Sequence, residues 1–410
     1  MKRITIITVL IFAFCYAYAQ EITGSWKGIL DVKTQKLNLV FHFQKEASGK
    51  IKCLMDSPDQ GAKGIETNLI YISKDSVNLS IPAISMSYSG KLKEDTIRGT
   101  FRQGGITLPL DLTRGNITRN RPQNPVLPLG YKTENITFYN PSANAKFTGT
   151  LSYPSGYKDD LKVPIVIMVS GSGSQNRDEE VFDHKPFLVI ADYLARHGIA
   201  SYRYDDRGYG ESTGDASNAT TKDFATDAAE GIKMLQKMGK FRKIGIIGHS
   251  EGASIAFMLG AKREPDFVIS MAGIGVKGDT ALVAQVNKML GKMGQPASMT
   301  VKTYSEQVMS GKMTWLKYFI NYQPDSDISS TICPVMAING DKDVQVISSL
   351  NLEAIKRLLP KNSKNVIKLY PGLNHLFQHC QSGMTDEYAN IDETISPEVL
   401  EDITRWIKSL

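Results

Sequence analysis

The chain has 410 residues, with 48 Lys and Arg against 42 Asp and Glu for a formal net charge of +6, and 41% hydrophobic residues. That length exceeds one ordinary domain and is enough for a large and a smaller unit, each with a core of its own. The charge is spread without a basic block, so nothing points to nucleic acid, and no stretch after the N-terminus approaches the ~20 apolar residues of a membrane helix.

Met1-Lys2-Arg3, the apolar run Ile4 to Phe14 and then Ala17-Tyr18-Ala19-Gln20 follow the order of a secretory signal, with cleavage expected near Ala19. Export is therefore expected, with residues 1–19 removed; loss of Lys2 and Arg3 leaves +4. Cys15 lies inside this signal behind Phe12 and Phe14, which argues against a lipoprotein site. Cys53, Cys333 and Cys380 remain, an odd number without metal-ligand spacing, and are expected as buried free thiols; a Cys333–Cys380 pair stays open.

Residues 20–115 read as a small all-β domain. Alternating runs such as Leu37 to Phe43, Val77 to Ile81 and Ile106 to Leu112 are separated by Gly-, Ser-, Asp- and Lys-rich turns. Seven or eight such strands fit a sandwich or barrel, with Trp26 plugging the end of the β-core. Residues 116–130, rich in Asn, Arg and Pro, read as a linker.

From 131 to 410 the pattern changes. Strands are expected at Ile136 to Tyr139, Phe147 to Tyr153, Val163 to Ser170, Ala200 to Tyr204, Ile244 to Gly248, Phe267 to Met271, Val335 to Asn339 and Asn365 to Tyr370. Helices are expected at Pro186 to His197, Thr221 to Met238, after Gly248, through Ala354 to Leu359 and from Pro397. This alternation implies an α/β fold with a mostly parallel sheet covered on both faces. A polar, Met-rich insertion at about 275–328 interrupts it and is expected to be a helical cap, whose Met289, Met293, Met299, Met309 and Met313 fill gaps in its core or line an acyl pocket.

Gly248-His249-Ser250-Glu251-Gly252, directly behind a buried strand and ahead of the apolar Ala253 to Leu259, describes a sharp strand-to-helix elbow. Ser250 is the candidate nucleophile. A serine hydroxyl needs a histidine base, and the histidine needs an acid to hold its tautomer. Asp343 and His375 follow in that order, each just past a later strand, with Asp341 the rival acid. The oxyanion donors are expected to be the N–H groups of Glu251 and Ser172, with Gly173 the alternative to Ser172. No Lys follows Gly173 as a phosphate-binding loop requires. His379 lacks a metalloprotease glutamate beside it, and His249 is read as structural. The charges of Arg203 to Glu211 are read as pairing with one another, a substrate role for Arg207 being the alternative.

Gly171-Ser172-Gly173-Ser174-Gln175-Asn176-Arg177-Asp178, Arg203-Tyr204-Asp205-Asp206-Arg207-Gly208, the elbow and Gly372-Leu373-Asn374-His375-Leu376-Phe377-Gln378 together resemble the exported α/β-hydrolase esterases of the serine-aminopeptidase-like group. The resemblance runs from about 131 to 410. It implies the α/β-hydrolase fold after an N-terminal β-domain, and hydrolysis of small-molecule carboxylic esters by Ser250, Asp343 and His375 without cofactor or metal. A serine peptidase of the same fold is one alternative, for which Glu251 or Glu180 would have to bind a substrate amine. A glycan- or cell-wall-binding protein with a vestigial hydrolase is the other. The sequence does not bear on oligomeric state.

Overall fold

The computed structural model describes residues 22–410 apart from 34, 74 and 161; the expected signal at 1–19 lies outside the described residues. The chain divides into two compact units, one ending at Thr118 and the other running from Arg119 to Leu410.

The first unit is all antiparallel. Its ten strands are β1 (Gly24–Asp31), β2 (Lys36–Lys45), β3 (Ile51–Ser57), β4 (Ala62–Glu66), β5 (Asn68–Ile72), β6 (Ser76–Ile81), β7 (Met86–Lys93), β8 (Thr96–Gln103), β9 (Ile106–Pro109) and β10 (Leu112–Arg114). They pair in the order β4-β3-β2-β1-β10-β8-β7-β6-β5, with β9 on β8. The two ends of this path, β4 and β5, are separated only by Thr67, whose backbone N–H and hydroxyl both donate to the Cys53 carbonyl of β3, at 3.2 and 2.8 Å. The sheet therefore curls back on itself into a nearly closed barrel, which leaves little unpaired edge. Period-two alternation fills its interior with Trp26, Phe41, Phe43, Leu79 and Tyr88. The Trp26 indole N–H donates to the Ile22 carbonyl at 2.7 Å and the Arg114 guanidinium lies 4.3 Å from its ring centroid, so this tryptophan plugs the core.

The second unit holds an eight-stranded sheet. It contains β11 (Thr133–Asn140), β12 (Ala145–Ser152), β13 (Val163–Val169), β14 (Ala200–Tyr204), β15 (Phe241–His249), β16 (Phe267–Met271), β17 (Val335–Gly340) and β18 (Val366–Tyr370). The order is β11-β12-β14-β13-β15-β16-β17-β18; β12 is antiparallel to both neighbours and every pair from β14 to β18 is parallel. The helices are α1 (Pro186–Arg196), α2 (Thr221–Met238), α3 (Glu251–Ala261), α4 (Gly278–Lys292), α5 (Val301–Ser310), α6 (Thr314–Asn321), α7 (Asp325–Ser330), α8 (Ser348–Leu358) and α9 (Pro397–Ser409). α2 and α3 pack in the cluster on one sheet face, whereas α1 and α9 pack in the cluster on the other. The central strands are thus buried on both faces, which explains their unbroken apolar runs. This order, with its single early antiparallel strand, is an α/β-hydrolase sheet.

Two expectations need correction. The segment read as a linker is bound to the second unit from Arg119 onward. The Arg121 guanidinium donates to the carbonyls of Asn120, Phe182, Ala389 and Ile391 at 2.7–3.1 Å, and the Gln123 carbonyl oxygen accepts from the Thr394 and Ile395 amides. Low periodicity marked it as irregular, but an irregular strap satisfies its polar groups on a neighbour as readily as in water. The cap is helical, formed by α4 to α7, yet Met293, Met309 and Met313 are 51–61% exposed and line no core. The three described cysteines are free, Cys53 buried and Cys333 and Cys380 half-buried.

Candidate active site

β15 ends at His249 and α3 begins at Glu251, so Ser250 alone carries the turn between them, at φ 54° and ψ −115°. Such a conformation is costly for a residue with a Cβ and persists only where its surroundings impose it. Two close approaches do so. A Cβ on Gly248 would lie 2.0 Å from the Gly252 carbonyl oxygen, and one on Gly252 would lie 2.1 Å from that of Val169. Only glycines let β15, α3 and β13 converge this tightly.

Asp343, in the turn after β17, is 2% exposed, and its Oδ2 accepts from His375 Nδ1 at 2.8 Å. Its Oδ1 accepts from the amides of Gln345 and Val346 at 2.7 and 2.8 Å, which fixes the carboxylate plane. His375 stands in the loop after β18. Asn374 folds that loop by accepting from the Leu376 and Gln378 amides, and the Gln378 side chain donates to the Glu393 carbonyl. The His375 ring lies against that of His249, centroids 4.7 Å apart, which brings it to the elbow. Asp341, the rival acid, instead accepts from the Gly372 amide at 2.7 Å.

The loop after β13 approaches from the other side, where a Cβ on Gly171 would stand 3.3 Å from the Ser250 Cβ. The Gly171 amide is committed to Glu179 Oε1 at 2.8 Å and that of Gln175 to Asp206 at 2.8 Å. No such acceptor holds the amide of Ser172 or Gly173 among the described residues. As the first residue of α3, Glu251 likewise has no intrahelical acceptor for its N–H, and it sits at the positive end of the helix dipole.

Beneath these groups lies a buried acidic network that the sequence reading left out. Glu179 Oε1 also meets His249 Nδ1 at 2.9 Å. Burial alone would lower the His249 pKa, but the Glu179 charge and hydrogen bond hold it above the ordinary value. Burial pushes Asp206 up to about 8, with the charges of Glu179 and Glu251 adding to it. Glu251 is raised by burial and partly restrained by hydrogen bonds from Thr221, Trp315 and Ser172. A cavity of about 20 Å³, bounded by Gly171, Gly173, Ser174, Asp206 and Glu251 among others, has room for one water. The signal for the network was an acid directly after the elbow serine in an otherwise apolar helix.

The remaining candidates are engaged elsewhere. Arg207 Nη2 pairs with Asp227 at 2.8 Å, Arg177 with Asp205 at 2.6 Å and Arg203 with Asp178, so these charges knit the loop together. His379 is exposed and bonds Glu393 at 2.9 Å, and Glu180 meets Lys185 at 3.8 Å.

Residues 185–321 match the family model described as serine aminopeptidase, S33. Esterase EstD of Thermotoga maritima is 23% identical over 270 residues, 63% of this chain and 65% of that one, so the chain spans just under two thirds of that relative's length. Among solved structures, the chain resembles Est1E from Butyrivibrio proteoclasticus, solved with ferulic acid, at 17% identity and TM-score 0.45, covering 67% of this chain and 96% of that one. It also resembles the esterase Pf2001 of Pyrococcus furiosus, at 18% identity and TM-score 0.46, covering 72% and 98%. The sheet order is that of the α/β-hydrolase fold, and the similarity to the serine aminopeptidase family model spans the elbow and the start of the cap.

Proposed function

We propose that the protein is an exported serine hydrolase that cleaves carboxylic esters of small or medium acyl groups through an acyl-enzyme. The observation that carries this reading is the 2.8 Å bond between His375 Nδ1 and Asp343 Oδ2, in a carboxylate already clamped by two amides, beside a strained elbow serine. The similarity to one relative named as an esterase supports the ester class. Export rests on residues 1–19, and a mature chain beginning at Gln20 is its check.

In this reading the Ser250 hydroxyl attacks the ester carbonyl while His375 Nε2 takes its proton. Asp343 accepts from Nδ1 and keeps that proton there, so that Nε2 is free to act as base. The tetrahedral oxyanion is received by the Glu251 and Ser172 amides, donors of a kind whose loss costs roughly 10²–10³ in kcat. His375 then protonates the departing alcohol and activates the water that releases the acid. Hydrolysis of p-nitrophenyl acetate, butyrate and octanoate by wild type and Ser250→Ala tests the reading: activity is expected only in the wild type. Cleavage of amino-acid p-nitroanilides in place of esters would turn the assignment to a peptidase, for which the Glu251 carboxyl is poorly placed because its Oε1 already serves Thr221 and Trp315.

A further inference from the structure

The glycine loop after β13 has almost nothing of its own to hold it. Ser172, Gly173 and Ser174 are exposed, Gly173 takes φ 95°, and among the described residues no hydrogen bond joins one member of the segment 171–175 to another. Yet this loop lies against the nucleophile, since a Cβ on Gly171 would stand 3.3 Å from the Ser250 Cβ. Its ends are fixed from outside by two carboxyls. Glu179 takes the Gly171 amide at 2.8 Å. Asp206, in the turn after β14, takes the rest: the Ser170 hydroxyl lies 3.0 and 2.9 Å from its Oδ1 and Oδ2, and the Gln175 amide donates to Oδ2 at 2.8 Å. The Asp206 amide donates back to the Gln175 carbonyl at 3.0 Å. One residue therefore closes the loop across its mouth, joining the residue directly after β13 to the residue five positions on. Its neighbour Asp205 is spent differently, on the Arg177 amide and guanidinium and on the Glu211 amide. An apolar residue at 206 would leave the Ser170 hydroxyl and the Gln175 amide without this acceptor.

We propose that Asp206 is a positioning residue for the oxyanion donor on this loop: by tying Ser170 to Gln175 it sets where the Ser172 N–H stands relative to Ser250. This rests on the serine-hydrolase reading above and deepens it. The two donors of that reading are held by unlike means. The Glu251 N–H belongs to α3 and moves only with the helix, whereas the Ser172 N–H lies on a short exposed stretch whose place is decided at its ends. An oxyanion hole works because its donors already stand in place when charge develops on the substrate oxygen. A loop released at one end therefore loses stabilisation of the transition state, while the substrate's ground state binds as before. The donor is displaced and not deleted, so the loss is smaller than the roughly 10²–10³ that follows removal of one outright.

The test uses the full chain, with p-nitrophenyl acetate as substrate and phenylboronic acid as a probe of the tetrahedral state. The boron takes up the Ser250 oxygen, the serine proton passes to His375, and the resulting anion sets an oxygen where the ester oxyanion would stand. Asp206→Leu keeps the size of the side chain and removes both acceptor oxygens, Ser170→Ala removes one of the two donors, and Asp206→Asn keeps an acceptor for both. The expected result is a fall in kcat of about tenfold for Asp206→Leu and about threefold for Ser170→Ala, with KM within about twofold. Phenylboronic acid should bind more weakly by the same factor as kcat falls. Asp206→Asn is expected to stay within about twofold of wild type. Adding Ser170→Ala to Asp206→Leu should take nothing further from kcat, because the hydroxyl acts through that carboxyl. Wild-type kcat in Asp206→Leu, a fall in kcat with boronate affinity unchanged, or additive losses in the double variant overturns the proposal. Where Asp206→Leu does not fold, Ser170→Ala decides: a parallel fall in kcat and boronate affinity supports the proposal, and wild-type values overturn it. Labelling of Ser250 by a fluorophosphonate is read separately. A labelled wild type with an unaffected Asp206→Leu variant overturns only the positioning role, whereas a wild type that neither labels nor cleaves esters overturns the hydrolase reading and this one with it.

Discussion

His249 is the floor on which His375 rests: its Nε2 donates to the His375 carbonyl oxygen at 3.0 Å while its Nδ1 meets Glu179 Oε1 at 2.9 Å. A carbonyl oxygen and a carboxylate both accept, so both ring nitrogens donate and the imidazole is held in its charged form, in keeping with its raised pKa. A group whose folded pKa lies above the unfolded value contributes stability that is full below about 6.5 and is lost as pH rises through the folded pKa. Glu179→Gln removes the partner charge. Its thermal midpoint is expected to fall below the wild type's at pH 6 and to converge on it at alkaline pH, measured by thermal melts across pH; a constant offset would refute the pairing.

Asp343→Asn should leave the fold intact and remove the chemistry. The amides of Gln345 and Val346 still find an acceptor, but the side-chain amide presented to His375 favours the tautomer with its proton on Nε2. A loss of kcat of about 10³–10⁴-fold is expected with little change in melting temperature. Asp341→Asn, which touches only the Gly372 turn, should stay within about threefold of wild type.

Asp206→Asn is expected to stabilise the protein as pH rises. Asp206 binds its proton up to about 8 in the fold, against 3.8 for the free side chain. Between those values the folded state holds more protons than the unfolded one, so wild-type stability falls through that window and levels off above it. Asparagine does not titrate, and its side-chain oxygen still accepts from the Ser170 hydroxyl and the Gln175 amide. Melts at pH 5 and pH 8 should show the variant gaining on wild type at the higher pH; a gain that is equal at both would contradict a protonated Asp206.

Arg121→Ala should cost stability of about 3 kcal/mol, because one guanidinium serves the carbonyls of Phe182, Ala389 and Ile391 at once. The same strap borders His184, whose pKa is pulled down to about 4 by burial and by the Arg121 charge. Chemical denaturation at neutral pH measures the loss. Wild-type stability would mean that the residues after Arg119 are a connector after all.

Much of this molecule is written locally. The buried apolar runs at Val163, Ile244 and Phe267 specify strands of a parallel sheet, because a strand covered on both faces has no polar side to show. The elbow is legible for a related reason: at Gly248 and Gly252 any side chain would meet a carbonyl at about 2 Å, so the local sequence has no other choice. The separate β-domain is likewise legible from its period-two alternation, though not its closure, since only the pairing of β3 with one half of residues 62–72 and of β6 with the other curls the sheet.

Tertiary structure alone decided what the polar residues do. Asp341 and Asp343 are two residues apart in one turn, and only the fold directs one to a loop amide and the other to His375. Glu251, Thr221 and Trp315 lie far apart along the chain, as do His249 and Glu179, and their hydrogen bonds follow no period that a sequence displays. The exposed cap methionines and the Arg121 strap make the same point. Apolar burial is governed by short-range periodicity and is therefore readable, whereas a buried hydrogen bond depends on which distant atom arrives opposite it, and that is fixed only once the chain has folded.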